Sequence, residues 1–244
     1  MSDFKLTYKQ FGERSILVEW PSKIDEKILE DIIFFKEKLE NTLLEELIEV
    51  KSAYNSMLIS YNTAIDNIYN EISALKVLRS TKNSNIKSAF RQWKIPVCYD
   101  DKFALDLEEI SLKKKISKQD IIKLHSDAIY TVFFIGFLPG FLYLGGLDST
   151  INYPRKATPR LQIEKGAVAI GGNQTGVYPS QSPGGWNIIG NSPINFFDVS
   201  KTTPCFENIG DKIQFYPITL KKHSDITALV NAGVYQLESE ELYG

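Results

Sequence analysis

GFLPGFLYLGGLD, residues 136–148, decides how the second half of this chain is read. Its thirteen residues hold four glycines, one proline and seven apolar side chains. That is too apolar for an ordinary loop and too rich in helix breakers for a helix. Two readings stand. Either the stretch is strand, tight turn, strand at a sheet corner, or the missing side chains around Pro139, Gly140 and Phe141 let a ligand approach the main chain.

The surroundings have the same character. Most of the fifteen glycines and ten prolines lie beyond Tyr130, interleaved with short apolar runs such as YTVFFI, GAVAI, NIIG, INFFDV and KIQFYP. Many short strands separated by Gly and Pro predict a β-rich barrel or sandwich. Upstream, WKIPVCYD reads as a strand, and ISKQDIIKLHSDAIY as a helix opened by a capping box of Ser117 and Asp120. The final SDITALVNAGVYQLESEELYG reads as a helix followed by a frayed tail.

The first part of the chain alternates differently. LTYKQ and SILVEW predict strands, the second placing Ile16, Val18 and Trp20 on one face. Ile24, Ile28, Leu29, Ile32 and Ile33 then form a helical stripe, for which Ser22 and Asp25 offer a capping box. EELIEVKSA and SMLISYN predict two further strands, and Ile65 to Arg79 a second helix. The order β-β-α-β-β-α implies an α+β domain over residues 1–88, closed by the polar linker STKNSNIKS at 80–88, with the β-rich domain over 89–244.

With 28 Lys plus Arg against 30 Asp plus Glu, the net charge of −2 argues against a nucleic-acid surface. Cys98 and Cys205 stand far apart and read as free buried thiols, and no spacing suits a metal. No window approaches a membrane span and MSDFKLTYKQ is no signal peptide, so a soluble cytoplasmic protein is expected.

Candidate chemistry clusters in the β-rich half. Arg155 and Arg160 each follow a proline, so their guanidinium groups sit on stiffened backbone suited to gripping a carboxylate or phosphate; the alternative is a pair of solvated arginines. Gln174, Tyr178 and Ser182 are neutral donors and acceptors on glycine-punctuated backbone. The Gly184 and Gly185 amides are placed to face an oxygen, with Trp186 as an apolar wall, unless these clusters are merely hairpin turns around a core tryptophan. His125, at the end of a helix leading into the 136–148 stretch, is a candidate general acid or base or a structural histidine. No GxxxxGK[ST] loop is present, so nothing in the chain argues for nucleotide binding by itself.

Taken in order, IPVCYD, DLEEI, LHSDAIYTVFFIGFLPGFLYLGGLD, two PR pairs, GAVAIGGNQTGVYP, SPGGWNIIG, FFD and IGDKIQFYPI resemble the family of the 5-oxoprolinase B subunit, the kinase inhibitor KipI and allophanate hydrolase subunit 1. ERSILVEW and AYNSMLISYN echo it more weakly. The resemblance implies an amino-terminal α+β domain and a carboxy-terminal cyclophilin-like β-barrel. It also implies a complex with the 5-oxoprolinase C and A subunits that uses ATP to open 5-oxoproline to glutamate, or in the alternative an inhibitor of a sensor histidine kinase or a component of urea or allophanate metabolism. On that reading Arg155 and Arg160 serve the anions, Gln174 and the Gly184–Gly185 amides the lactam, and His125 the proton. The family pattern has Arg and Thr after SPGGWxxIG; this chain has Asn191 and Ser192, one cation fewer.

Overall fold

The computed structural model describes residues 4–43, 45–81 and 90–242. The chain divides into two compact units, Met1–Ser88 and Ala89–Gly244. Most of the expected linker falls outside the described residues.

The first unit runs β1 (Thr7–Gln10), β2 (Ser15–Glu19), α1 (Glu26–Thr42), β3 (Leu47–Ser52), β4 (Ser56–Tyr61) and α2 (Ile68–Ser80). Its strands form one antiparallel sheet in the order β1-β2-β4-β3. Period-2 alternation sends Ile16 and Val18 from β2 and Met57 and Ile59 from β4 into the core. Ile28, Ile32, Phe35 and Leu39 of α1 join the same cluster, which is what the helical stripe requires. The cap of α1 is Asp25, which accepts from the Lys27 amide; the expected Ser22 lies outside the helix. Lys38 is buried because its ammonium group donates to the Leu78 and Arg79 carbonyls at the end of α2, at 3.2 and 3.1 Å.

The second unit contains β5 (Phe90–Val97), α3 (Leu107–Lys114), α4 (Lys118–Asp127), β6 (Ile129–Ile135), β7 (Leu142–Gly145), β8 (Arg160–Ile163), β9 (Ala167–Gly171), β10 (Gln174–Val177), β11 (Ser182–Gly184), β12 (Asn187–Asn191), β13 (Lys212–Pro217), α5 (Leu220–Asn231) and β14 (Ser239–Leu242). Eight strands hydrogen-bond in the order β12-β9-β10-β7-β6-β13-β5-β14, and β8 with β11 forms a separate ribbon. Only β13 and β5 run parallel among these described strands. The fold is therefore mixed α/β with several sheets. The ladder is not a closed barrel: β12 meets the end of β5 only through the bridge Cys98–Asn191.

Three local outcomes differ from expectation or add to it. Ser117 caps α4 through the Asp120 amide, as the capping box predicts. The carboxy-terminal tail is not frayed: β14 pairs antiparallel with β5, supported by Arg91–Glu241 and Lys94–Glu238 ion pairs. The 136–148 stretch belongs to a β6–β7 hairpin whose register pairs Ile135 with Leu142. Its loop folds through Gly140 at φ 82, where an added Cβ would lie 2.8 Å from the Phe196 carbonyl oxygen, so glycine is required there.

The sheet has two buried faces of different kinds. In β9, AVAIG, Val168 and Ile170 enter the main core with Leu142, Leu144, Val177 and Phe215. Ala167 and Ala169 point the other way, into a smaller cluster with Phe141, Tyr178, Trp186 and Ile188. Small residues on that face leave room for large rings.

Candidate functional site

That second face carries a cavity of about 490 Å³ lined by Phe137, Leu138, Phe141, Tyr143, Arg155, Lys156, Pro159, Tyr178, Ser182, Pro183, Gly184, Gly185 and Trp186. The Gly- and Pro-rich stretch is a hairpin, and its loop contributes Phe137, Leu138 and Phe141 to the wall.

The aromatic box follows from where side chains are missing. The indole of Trp186 rests on Gly171 and Gly176 of adjacent strands; a Cβ on Gly171 would lie 2.5 Å from the ring, and one on Gly176 3.2 Å from it. Phe141 meets Trp186 edge-on at 5.5 Å and Tyr178 edge-on at 5.0 Å, and Tyr143 closes the corner at 5.8 Å from Trp186. Such edge-to-face arrangements suit the ring quadrupoles. Gly184 is compelled too, since its Cβ would meet the Tyr178 hydroxyl at 2.3 Å. Burial pushes the Tyr178 phenol up to about 12, so it stays protonated.

Arg155 is the exposed cation of this cavity. Its guanidinium lies 5.3 Å from the Trp186 ring centroid, in cation–π range, and its Nη2 is 3.5 Å from Gln174 Oε1. Arg160, five residues on, turns elsewhere. It makes a bidentate pair with Asp106, at 2.8 and 2.7 Å, and lines a different, smaller cavity. The two proline-mounted arginines therefore do not converge on one anion.

Asp106 is the residue that sequence reasoning missed. Its carboxylate, 2% exposed, accepts from Arg160, from Lys156 at 2.8 Å and from the Ile188 amide at 2.7 Å. Burial alone would raise this carboxyl, but those three donors outweigh it and hold the group below the ordinary carboxylate range. Lys156 in turn donates its amide to the Gly185 carbonyl at 2.7 Å. One carboxylate thus fixes the 155–160 segment against the Gly184–Gly185–Trp186 turn. Asp106 opens DLEEI, a motif legible only as part of the family pattern, which gave the residue no role of its own.

His125 is not at the cavity. It is fully buried, stacked on Phe215 at 4.8 Å, with Nδ1 2.7 Å from the Tyr99 hydroxyl and Nε2 2.9 Å from Thr175 Oγ1. Thr175 donates to the Ala169 carbonyl, so its oxygen accepts from Nε2–H, and Nδ1 accepts from Tyr99. Burial lowers the imidazole to about 3. A neutral histidine with both nitrogens occupied is a core group, and the structure gives it no part in moving a substrate proton. Gln174 flanks the cavity through Arg155, Ser182 lines it, and Pro139 and Gly140 shape its loop. Asn191 is buried, donating to the Lys165 carbonyl and bonding His223 Nε2, each at 2.9 Å, and lies in the smaller cavity rather than beside Trp186. Among the described residues no group of three or more His, Cys, Asp or Glu is placed to hold a metal ion.

Residues 6–207 match the family described as carboxyltransferase domain, subdomain C and D, and the chain belongs to that family. It is similar to the 5-oxoprolinase B subunit of Bacillus subtilis (strain 168), at 42% identity over 129 residues, covering 53% of this chain and 54% of that one. The chain thus spans about half the length of the curated relatives it matches. A conserved uncharacterized protein from Pyrococcus horikoshii is 36% identical with a TM-score of 0.53, covering 89% of this chain and 100% of that one. The urea amidolyase of K. lactis shares the fold, with a TM-score of 0.84 at 23% identity over 99% of this chain and 17% of that one.

Proposed function

We propose that this chain is the B subunit of an ATP-dependent 5-oxoprolinase, opening 5-oxoproline to L-glutamate together with the A and C subunits. The observation that carries the reading is the aromatic cavity with one exposed guanidinium over Trp186; the likeness to proteins named as 5-oxoprolinase B subunits supports it.

A five-membered lactam acid has a flat apolar ring, a carboxylate and an amide. The ring fits between Trp186, Tyr143 and Phe141, where burial of apolar surface drives binding. Its carboxylate pairs with Arg155, and Gln174 beside that guanidinium supplies a hydrogen bond to the amide. The protonated Tyr178 and the amides of the Gly184–Gly185 turn, held in place by Asp106 through Lys156, are the donors available to charge developing on the lactam oxygen. A lactam is a poor electrophile; ATP, held outside this chain's own motifs, would supply the activation by giving its terminal phosphoryl group to that oxygen with loss of ADP, so that water can open the ring and phosphate leave. The proton is moved by a group on the partner proteins or by water rather than by His125. The isolated chain is accordingly inactive, and its workplace is the cytoplasm.

The test is co-expression with candidate A and C subunits and an assay of glutamate formed from 5-oxoproline with and without ATP. ATP-dependent turnover is expected. Arg155→Ala should lower kcat/KM by about 10- to 100-fold, the loss of one charged hydrogen-bonding partner, with the complex intact. Turnover by the isolated chain, or full activity of the Arg155 variant, would overturn the assignment. Co-purification with a sensor kinase, without turnover, would favour the inhibitor reading.

A further inference from the structure

The second unit holds another cavity, of about 200 Å³, which shares no lining residue with the aromatic cavity, although its Ile163, Ala167 and Ile188 pack in the same cluster as Trp186. At about 30 Å³ per water it has room for six or seven non-hydrogen atoms. One wall is the segment carrying Lys102, Phe103 and Leu105; the other is β8 with Gln162 and the residue that follows it, Glu164, and the floor is Ile163, Ala167 and Ile188.

The charges of this cavity are unevenly answered. Arg160 is neutralised by its bidentate pair with Asp106. Lys102 has no ion-pair partner among the described residues; its ammonium lies 5.4 Å from the Phe103 ring, and its charge is felt by His223, whose pKa is lowered chiefly by burial and then by Lys102. Glu164 likewise has no ion-pair partner among the described residues. A simple anion would meet Lys102 but also Glu164, and a simple cation the reverse. A neutral apolar molecule would leave both charges without a partner over an apolar floor. Only a ligand carrying both signs answers both walls.

We propose that this cavity binds a small zwitterion the size of a short α-amino acid, its carboxylate on Lys102, its ammonium on Glu164 and its side chain on the Ile163–Ala167–Ile188 floor. Gln162, whose amide has both donors and an acceptor, serves either end. The site shares no lining residue with the aromatic cavity, and the proposal holds or fails independently of the reaction assigned there.

The test is a titration of the ¹⁵N-labelled full chain with L-alanine, followed by amide shifts in NMR spectra. Saturable shifts are expected at Gln162, Ile188, Gly190 and Asn191, larger than any at the Trp186 indole. Acetate and ethylammonium, each carrying half the charge pattern, should bind at least about threefold more weakly. Lys102→Ala and Glu164→Gln should each weaken L-alanine by about three- to fivefold, the range of a solvent-accessible ion pair. Both side chains are exposed, so the thermal midpoints of these variants should match the parent's. No saturable shift, acetate binding as tightly as L-alanine, or undiminished affinity in both variants would overturn the proposal.

Discussion

His125 shows how a residue that reads as catalytic becomes structural once its neighbours are known. Its imidazole is held neutral among Tyr99, Thr175 and Phe215, with a folded value of about 3 against 6.5 when unfolded. A depressed histidine favours folding above the unfolded value, and that contribution is lost as pH falls from about 6.5 towards 3. Between pH 7 and pH 5 it should amount to about 2 kcal/mol. Glu207 works in the opposite sense. Its carboxyl is 2% exposed, neither oxygen meets a well-aligned hydrogen-bond donor, and burial raises it well above its usual value. A raised carboxyl favours folding below the unfolded value, and that contribution is lost as pH rises through the folded one. Urea unfolding at pH 4, 5 and 7 separates the two: His125→Gln should remove the acid-side loss while lowering stability throughout, and Glu207→Gln should stabilise the protein at pH 7 and not at pH 4. Parallel pH curves for parent and variant would defeat either assignment. The sequence contained His125 and its helix, yet its partners lie 26 and 50 residues away and leave no local trace.

At the scale of elements, what was legible is what repeats locally. The first unit's β-β-α-β-β-α order emerged from period-2 and period-3.6 patterns, and the β6–β7 hairpin from breakers set between apolar runs. The helix α3 escaped because it is short and half its residues are charged. Its one signal, Glu108 and Glu109 in the first turn with Lys113 and Lys114 in the last, complements the helix dipole and would have found it. The strand β14, SEEL, has no apolar alternation because it is an edge strand exposing its side chains. The aromatic box was half legible: Trp186 and the glycines stood out, but which glycine supports the ring is a matter of strands β9 and β10 lying side by side. That packing makes a sharp contrast. Gly171→Ala places a methyl 2.5 Å from the indole and should cost about 1–3 kcal/mol through overpacking, with a changed Trp186 near-UV circular dichroism signal. Gly185→Ala meets nothing closer than 3.6 Å and should leave both stability and spectrum nearly unchanged. Equal effects of the two substitutions would mean that the indole does not rest where the structure puts it.

At the scale of the whole molecule, two hydrophobic cores are built from separate stretches of sequence. One is formed by Ile16, Val18, Ile32, Phe35, Met57 and Ile59, the other by residues from Ile95 to Ile226. Every wall of the aromatic cavity and of the smaller cavity comes from residues after Ala89. The polar clamp on Asp106 closes within the same unit, joining residues 106, 156, 160 and 188. A unit that contains its own core, its own sheet and the partners of this buried carboxylate has what independent folding requires. Residues 89–244 expressed alone should therefore unfold in one cooperative step, with the near-UV signal of a fixed Trp186 environment. In that fragment Asp106→Asn should cost about 2–4 kcal/mol, because it leaves Arg160 and Lys156 against a neutral amide at a site built for a carboxylate. It should also loosen the turn through Gly185, so that the Trp186 signal falls even at temperatures where the fragment remains folded. A fragment that is molten, without a near-UV signal, would show that the first unit is needed to complete the second. A folded fragment whose Asp106→Asn form keeps both its stability and its tryptophan signal would show that the carboxylate, though buried among cations, does not hold the cavity's wall.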